Sequence, residues 1–173
     1  GAAAAIIVSE RKAKQMGMSR CVKVTGCLLG SGYDFDEGET PAPPAAGAAK
    51  IYEETGVDPS NLDCIELHDA SAISELIYYE HLGLCPPGDS GKLISDGTTK
   101  LGGTCPVNTS GGLMRKGHPI GATGVSQIVE LIWQLRGEAG TRQVDGARLA
   151  LAENGGGFIG ADVAALAYTM LEA

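Results

Sequence analysis

The residue best suited to chemistry is a histidine in a glycine-rich loop. His118 lies within residues 117–124, whose sequence is GHPIGATG, and a long amphipathic helix is predicted to begin directly after this loop. Glycines let the backbone turn tightly and let a substrate come close. A helix N-terminus presents unpaired N–H groups and a partial positive charge, which favour a neutral imidazole. We therefore predict that His118 accepts a proton near neutral pH, as a general base does.

Two further polar groups follow predicted strands. His68, with Asp69 beside it, follows a strand predicted over residues 62–67, and Glu153 follows a strand predicted over residues 148–152. Ligand sites in open α/β sheets gather at strand ends near helix starts. Taken singly, His68 is as well explained as a hydrogen-bonded structural histidine, and Glu153 as a solvated carboxylate. The site hypothesis therefore requires both side chains to share one crevice with His118.

Strands and helices alternate along the chain, which predicts an α/β domain. The strands are predicted over residues 3–8, 21–29, 62–67, 148–152 and 162–170, and the helices over residues 9–17, 45–55, 71–82 and 124–136. Ser9 and Thr40 are predicted N-caps, whereas Gly17 and Gly56 are predicted helix ends. Helical spacing predicts two apolar faces. Their members are Ile73, Leu76, Ile77 and Leu84 on one helix, and Val125, Ile128, Val129, Ile132 and Leu135, extended by Trp133, on another.

Composition excludes several classes of function. The 173 residues carry a net charge of −8, which disfavours binding to nucleic acid or to anionic membranes. No run of about 18 apolar residues is present, so no membrane span is predicted. The five cysteines are odd in number and none forms a C-x-x-C pair, which predicts reduced, partly buried thiols in a cytoplasmic protein and no metal site.

Several separated motifs resemble one family. The GHPIGATG loop, preceded by NTSGG at residues 108–112, resembles the thiolase signature. His68-Asp69 and residues 79–85 and 134–144 resemble the sterol-carrier or lipid-transfer branch of that superfamily. The resemblance implies a thiolase-like C-terminal domain, with a mixed β-sheet covered by α-helices on both faces. It assigns residues 1–10 to the last strand and linker of the N-terminal thiolase domain, and residues 11–173 to the C-terminal domain.

The resemblance also implies residue roles. His118 matches the histidine that activates the catalytic cysteine, and His68 matches a side chain that supports the thioester oxyanion. Gly155 matches the glycine whose N–H contributes to a second oxyanion hole. Glu153 stands where most thiolases have a second cysteine, so it is the residue available for that acid/base role. None of the five cysteines has the sequence context of the nucleophile, which the family carries in its N-terminal half.

Three functions follow as expectations. The first is an acyl-CoA thiolase that cleaves or forms a 3-oxoacyl-CoA, with CoA and acyl-CoA as substrates and no tightly bound cofactor. The second is a retro-aldolase of the same fold that acts on 3-hydroxyacyl-CoA side chains, because Glu153 replaces a thiol. The third is a non-catalytic scaffold subunit that docks an N-terminal partner or a small CoA-binding subunit. In each case we expect association with the N-terminal half, as a homodimer or a hetero-oligomer.

Overall fold

A four-stranded mixed sheet forms the centre of the protein. The computed structural model describes residues 1–36, 38, 40–160 and 162–173. The strands are β1 (Lys23–Ser31), β2 (Cys64–Glu66), β3 (Leu149–Gly156) and β4 (Ala165–Glu172), in the order β1-β4-β3-β2. Strands β2 and β3 are parallel, whereas β4 is antiparallel to both β3 and β1. The carboxyl ends of β2 and β3 therefore meet at one edge of the sheet, where His68 and Glu153 were predicted to lie.

Helices cover both faces of this sheet. They are α1 (Glu10–Gln15), α2 (Pro43–Thr55), α3 (Ala72–His81), α4 (Ser90–Ser95), α5 (Gly112–Lys116) and α6 (Thr123–Arg136). Helices α2 and α3 pack on one face of the sheet, and α6 packs on the other. This arrangement confirms the predicted mixed sheet with helices on both faces. None of the helices in the described part of the chain combines the length and the apolar composition of a membrane span.

The protein has two hydrophobic cores, one on each face of the sheet, and alternate side chains of a strand belong to different cores. On β3, Leu151 belongs to the core under α2 and α3. Ala150 and Ala152 belong to the core under α6. Successive side chains of a strand point to opposite faces, so the next two residues are also separated. Glu153 continues the row of Leu151, and Asn154 continues the row of Ala152.

Most predicted helix ends are present, with one exception. Ser9 accepts a hydrogen bond from the Lys12 N–H and caps α1, and Gly56 ends α2 in the left-handed conformation with a φ of 69°. The predicted N-cap at Thr40 is wrong, because α2 begins at Pro43 after Ala42 and has no side-chain cap. Two prolines open this helix. Since proline has no N–H, the first turn has fewer unpaired donors for a cap to satisfy.

The predicted buried strand over residues 3–8 is not formed. Ile6 and Ile7 are 92% and 87% exposed, and no described strand pairs with this segment. An apolar run becomes a strand only when a neighbouring strand pairs with its backbone groups. The assignment of residues 1–10 to a preceding domain stays a prediction.

The predicted apolar faces of two helices are partly wrong. Ile73 and Ile77 of α3 are 69% and 45% exposed, and Tyr78 and Tyr79 are buried in their place. The buried rings remove more apolar area from water than the two isoleucines would. The Tyr79 hydroxyl also donates a 2.6 Å hydrogen bond to Glu75, which satisfies its polar end.

Helix α6 buries a polar row. Val125 and Trp133, which were predicted to be core, are 37% and 42% exposed, whereas Gln127, Glu130 and Gln134 are buried. Buried polar side chains are tolerated when they are hydrogen-bonded. Glu130, for example, accepts two hydrogen bonds from the Arg142 guanidinium, at 3.1 and 2.8 Å. Hydrogen-bonded polar side chains, as well as apolar ones, therefore determine which side of α6 is buried.

Candidate active site

Two imidazoles predicted to carry chemistry meet at the end of the parallel strand pair. The ring centroids of His68 and His118 are 4.9 Å apart, and the two rings are perpendicular. His68 is half-buried and lies just beyond β2, whereas His118 is exposed and lies between α5 and α6. The structure thus brings together two residues that are 50 positions apart in the sequence.

The His118 ring is held by the start of α6. Its Nδ1 lies 2.7 Å from the hydroxyl of Thr123, the first residue of that helix. The Thr123 hydroxyl in turn lies 3.2 Å from the carbonyl oxygen of Pro119, to which it donates. The backbone N–H groups of Ala122 and Thr123 donate to the same carbonyl. These bonds fold the glycine loop back on the helix and leave Nε2 as the ring nitrogen without a partner in the loop.

The His68 ring and backbone are both anchored to the end of β3. The His68 N–H donates to Glu153 Oε2 at 3.0 Å, and His68 Nδ1 lies 3.0 Å from the Asn154 side-chain nitrogen. Burial lowers the pKa of His68, and the neighbouring His118 lowers it further. His68 is therefore a neutral imidazole at neutral pH.

The Glu153 carboxyl accepts a hydrogen bond from the backbone of His68, whereas the His68 ring contacts Asn154. The Glu153 side chain is 0% exposed and sits on the α2/α3 side of β3. The two imidazoles thus lie together, whereas the Glu153 carboxyl is fully enclosed and does not line an open crevice with them. The catalytic roles of all three residues stay predictions. Successive side chains of a strand point to opposite faces of the sheet, so Asn154, and not Glu153, is on the face where the two rings lie.

Burial also changes the acidity of Glu153. It raises the pKa of this carboxyl to about 8, although the His68 N–H and the Tyr78 hydroxyl lower it in part. Oε1 accepts no hydrogen bond of good geometry from any described residue. At neutral pH the group is therefore mostly a neutral acid, and Oε1 is the oxygen with room for the proton.

Gly155 lies close to the Tyr78 hydroxyl and the Glu153 carboxyl. A Cβ at this position would come within 3.1 Å of Val163 Cγ1 and 3.2 Å of the Tyr78 hydroxyl oxygen. These distances are shorter than ordinary van der Waals contacts, so glycine is the residue that fits best. The role of the Gly155 N–H in an oxyanion hole stays a prediction.

Two site residues were missed in the sequence. Asn154 contacts His68, and Gln127 contacts Asn154 and the Glu153 backbone. A signal existed for Gln127. Together with Glu130 and Gln134 it repeats at helical spacing along α6, so the three polar residues lie on one side of the helix.

Asp69 holds the helix that leads to His118. Its buried carboxylate accepts hydrogen bonds from the N–H groups of Leu113, at 2.7 Å, and Met114, at 3.4 Å. Gly112 has a φ of 60°, and a Cβ there would collide with the Asp69 carboxylate. The residue beside one imidazole therefore fixes the segment that carries the other.

Replacing Asp69 by alanine is expected to destabilise the protein by about 1–3 kcal/mol, since the buried N–H of Leu113 and the partly buried N–H of Met114 lose their acceptor. Urea denaturation measures the loss, and hydrogen exchange should speed up at residues 113–117. Asp96→Ala removes an exposed carboxylate and serves as the control. Equal denaturation midpoints for the two variants would show that Asp69 does not anchor the helix.

The described residues contain no group of three or more His, Cys, Asp or Glu side chains arranged to hold a metal ion. The chemistry available here is that of two imidazoles, one buried carboxyl and their hydrogen-bond partners. This is a set suited to proton transfer and to stabilisation of an oxyanion.

The fold and the histidine pair define the class of protein. A mixed sheet lies between helices, and a glycine loop brings one histidine beside another at the ends of two parallel strands. A family described as "Thiolase C-terminal domain-like" matches residues 36–168. The chain belongs to this family.

Two curated relatives show which members of this family the chain is similar to. Sterol carrier protein 2 of Oryctolagus cuniculus is 45% identical over 162 residues, which cover 89% of this chain and 30% of that protein. Benzoylsuccinyl-CoA thiolase subunit BbsB of Thauera aromatica is 38% identical over 156 residues, which cover 84% of this chain and 38% of that protein. The chain therefore spans well under half the length of these relatives.

A solved structure shares the fold. The Ltp2-ChsH2(DUF35) aldolase superposes with a TM-score of 0.70 at 25% sequence identity, and the match covers 87% of this chain and 39% of that chain. Lipid-transfer proteins, thiolases and an aldolase thus all lie among the proteins to which this chain is similar.

Proposed function

We propose that this chain is the C-terminal part of an acyl-CoA thiolase, an acyltransferase that cleaves or forms a 3-oxoacyl-CoA. The observation that carries the proposal is the perpendicular His68–His118 pair, with ring centroids 4.9 Å apart. Two imidazoles at that distance can play complementary roles. One accepts the proton of a thiol while the other donates a hydrogen bond to a carbonyl oxygen that becomes negative.

His118 is the base in this proposal. When the Thr123 hydroxyl donates to the Pro119 carbonyl, its oxygen accepts from His118 Nδ1–H. A neutral His118 then has its lone pair on Nε2, the nitrogen that the loop leaves without a partner. The exposure of this ring allows a thiol from another part of the protein to reach it.

The cysteine nucleophile is proposed to come from the N-terminal thiolase half. Burial raises the pKa of Cys64, and raises that of Cys105 to about 12, so neither is a thiolate at neutral pH. Cys85 is half-buried, and burial raises its pKa as well. The association of the two halves, and any further oligomer, are part of the same proposal.

The proposed reaction transfers two protons in turn, both through His118. His118 takes the first from the cysteine, whose thiolate attacks the keto carbon while His68 stabilises the oxyanion. Cleavage of the adjacent carbon–carbon bond releases an acyl-CoA enolate, and His118 returns the proton to its carbon. His118 next takes the proton of CoA, whose thiolate attacks the acyl-enzyme. The bond between the acyl carbon and the cysteine sulfur then breaks, and the cysteine thiolate takes this proton back from His118. The resemblance offered Glu153 for the second acid/base role, but that carboxyl is enclosed on the α2/α3 side of β3.

The test is thiolysis by the protein assembled with its N-terminal half. A 3-oxoacyl-CoA and CoA are supplied, and the two product thioesters are quantified by liquid chromatography. Formation of both products in equal amounts supports the proposal. Complete absence of turnover by a folded, CoA-binding assembly would contradict it.

A retro-aldolase is the second candidate, and a specific observation favours it. Glu153 is a carboxylic acid with a raised pKa where a thiol was expected, and the fold matches the Ltp2-ChsH2(DUF35) aldolase. An aldolase would cleave a 3-hydroxyacyl-CoA without an acyl-enzyme. Mass spectrometry after incubation with a 3-oxoacyl-CoA separates the two candidates, since an acyl adduct on cysteine is expected only for the thiolase.

A further inference from the structure

We propose that Gln127 and Asn154 act as positioning residues that set the tautomer of His68, so that His68 presents Nε2–H as a hydrogen-bond donor. The tautomer itself follows from contacts within this chain. Its use, donation to a substrate oxyanion, rests on the proposed function.

A backbone carbonyl fixes the orientation of the Gln127 side chain. Gln127 is 1% exposed, and its side-chain nitrogen donates to the Glu153 carbonyl oxygen at 2.9 Å. A carbonyl oxygen can only accept, so the amide nitrogen of Gln127 must face it. The orientation of the buried Gln127 side chain is thereby fixed, and its Oε1 points to Asn154.

Gln127 fixes Asn154 in the same way. Gln127 Oε1 lies 3.1 Å from the Asn154 side-chain nitrogen, and an oxygen in that place would face another oxygen. The Asn154 oxygen lies toward Gly124, where a Cβ would approach it to 3.3 Å. The absence of a side chain at Gly124 therefore leaves space for the Asn154 amide at the start of α6.

Asn154 then determines where the His68 proton lies. One hydrogen of its NH₂ group goes to Gln127, and the other points to His68 Nδ1 at 3.0 Å. An imidazole nitrogen that accepts a hydrogen bond carries no hydrogen. Neutral His68 therefore carries its hydrogen on Nε2. The partner ring, His118, is assigned the opposite tautomer, so the pair offers one donor and one acceptor.

Nitrogen-15 NMR of histidine-labelled protein tests this proposal directly. Neutral imidazole nitrogens with and without a hydrogen have well-separated ¹⁵N shifts. The chain has three histidines, so the His68 signals can be assigned by comparison with His68→Gln. At about pH 8, above the ordinary imidazole pKa of about 6.5, His68 is expected to show a hydrogen on Nε2 and none on Nδ1. The reverse pattern in the unmodified protein would overturn the proposal without any variant of Asn154 or Gln127.

The variant Asn154→Asp provides a more specific test of the His68 tautomer. A carboxylate at this position can only accept, so His68 Nδ1 is expected to gain a hydrogen. The matched control is Asn61→Asp, which makes the same change at an exposed position and should leave the His68 signals unchanged. A folded Asn154→Asp protein in which Nδ1 still lacks a hydrogen would refute the assignment.

The thiolysis activity of Asn154→Asp is measured separately from the tautomer of His68. If the proposed function is right, Asn154→Asp should lower kcat for thiolysis by about 10²–10³-fold, as loss of one oxyanion donor does, with a smaller effect on KM. A changed tautomer with unchanged kcat would keep the hydrogen-bond assignment and remove His68 as the oxyanion donor. Absence of thiolysis in the unmodified protein would count against the proposed function alone.

Discussion

Replacing His118 by alanine is expected to lower kcat/KM for thiolysis by about 10²–10⁴-fold, the range that a general base contributes. In the proposal this imidazole handles every proton of the cycle, and no other group with a free nitrogen lone pair lies in its loop. The ring is exposed, so its removal should leave the denaturation midpoint almost unchanged. Steady-state kinetics of the assembled protein, with urea denaturation alongside, measure the two quantities.

His81→Ala is the matched control for this experiment. It removes the third imidazole of the chain, which lies on α3 and packs edge-on against Tyr78 at a centroid distance of 6.1 Å. Its kcat/KM is expected to stay within a few-fold of the unmodified protein. Equal losses in the two variants would indicate a general effect on folding, and undiminished turnover in His118→Ala would remove His118 from the mechanism.

The stability of the protein is expected to depend on Glu153 between about pH 5 and pH 8. The pKa of Glu153 is about 8 in the folded state and near 4.5 in its ordinary state. Between these values the folded protein holds a proton that the unfolded chain has released. Stability should therefore fall as pH rises, by up to about 1.4 kcal/mol per pH unit for one proton. This loss of stability is absent below the ordinary pKa of 4.5 and complete once the pH exceeds the folded-state pKa of about 8.

Glu153→Gln should remove this contribution, because glutamine copies the neutral acid at every pH. The variant is expected to be about as stable as the unmodified protein near pH 5 and more stable, by an amount on the order of a few kcal/mol, near pH 8. Urea denaturation across this range provides the comparison. Other groups titrate there too, so the informative quantity is the difference between the two proteins. Glu53→Gln changes an exposed carboxylate and should give a curve parallel to that of the unmodified protein.

The same variant separates two roles for Glu153. If its carboxyl only anchors the His68 N–H from behind the strand, glutamine can accept that hydrogen bond and kcat should change little. If Glu153 moves into the crevice and delivers a proton to the enolate, kcat should fall by about 10²-fold or more. A large loss of kcat in a variant that remains folded would restore the catalytic role that the sequence predicted.

Local chemistry explains why much of the fold could be predicted. Ser9 and Ser71 cap helices α1 and α3, and Gly56 accepts the positive φ that ends α2. These effects act over a few residues and are visible in the sequence. The buried faces of α3 and α6 were harder to predict, because each helix carries two rows of side chains that could face the core. Which row is buried depends on partners that lie far away in the chain.

Local backbone preferences and helical spacing encode the class of fold, most of the helix ends and the glycine loop that presents His118, so these features could be predicted from the sequence. The meeting of His68 with His118, and the contact of the His68 ring with Asn154 rather than with Glu153, arise only when the chain folds. Adjacent residues of a strand face opposite sides of a sheet, and the choice of side is made by the packing of α6, α2 and α3 against it. That packing joins segments distant in sequence, so no local pattern at residues 153–154 could reveal it.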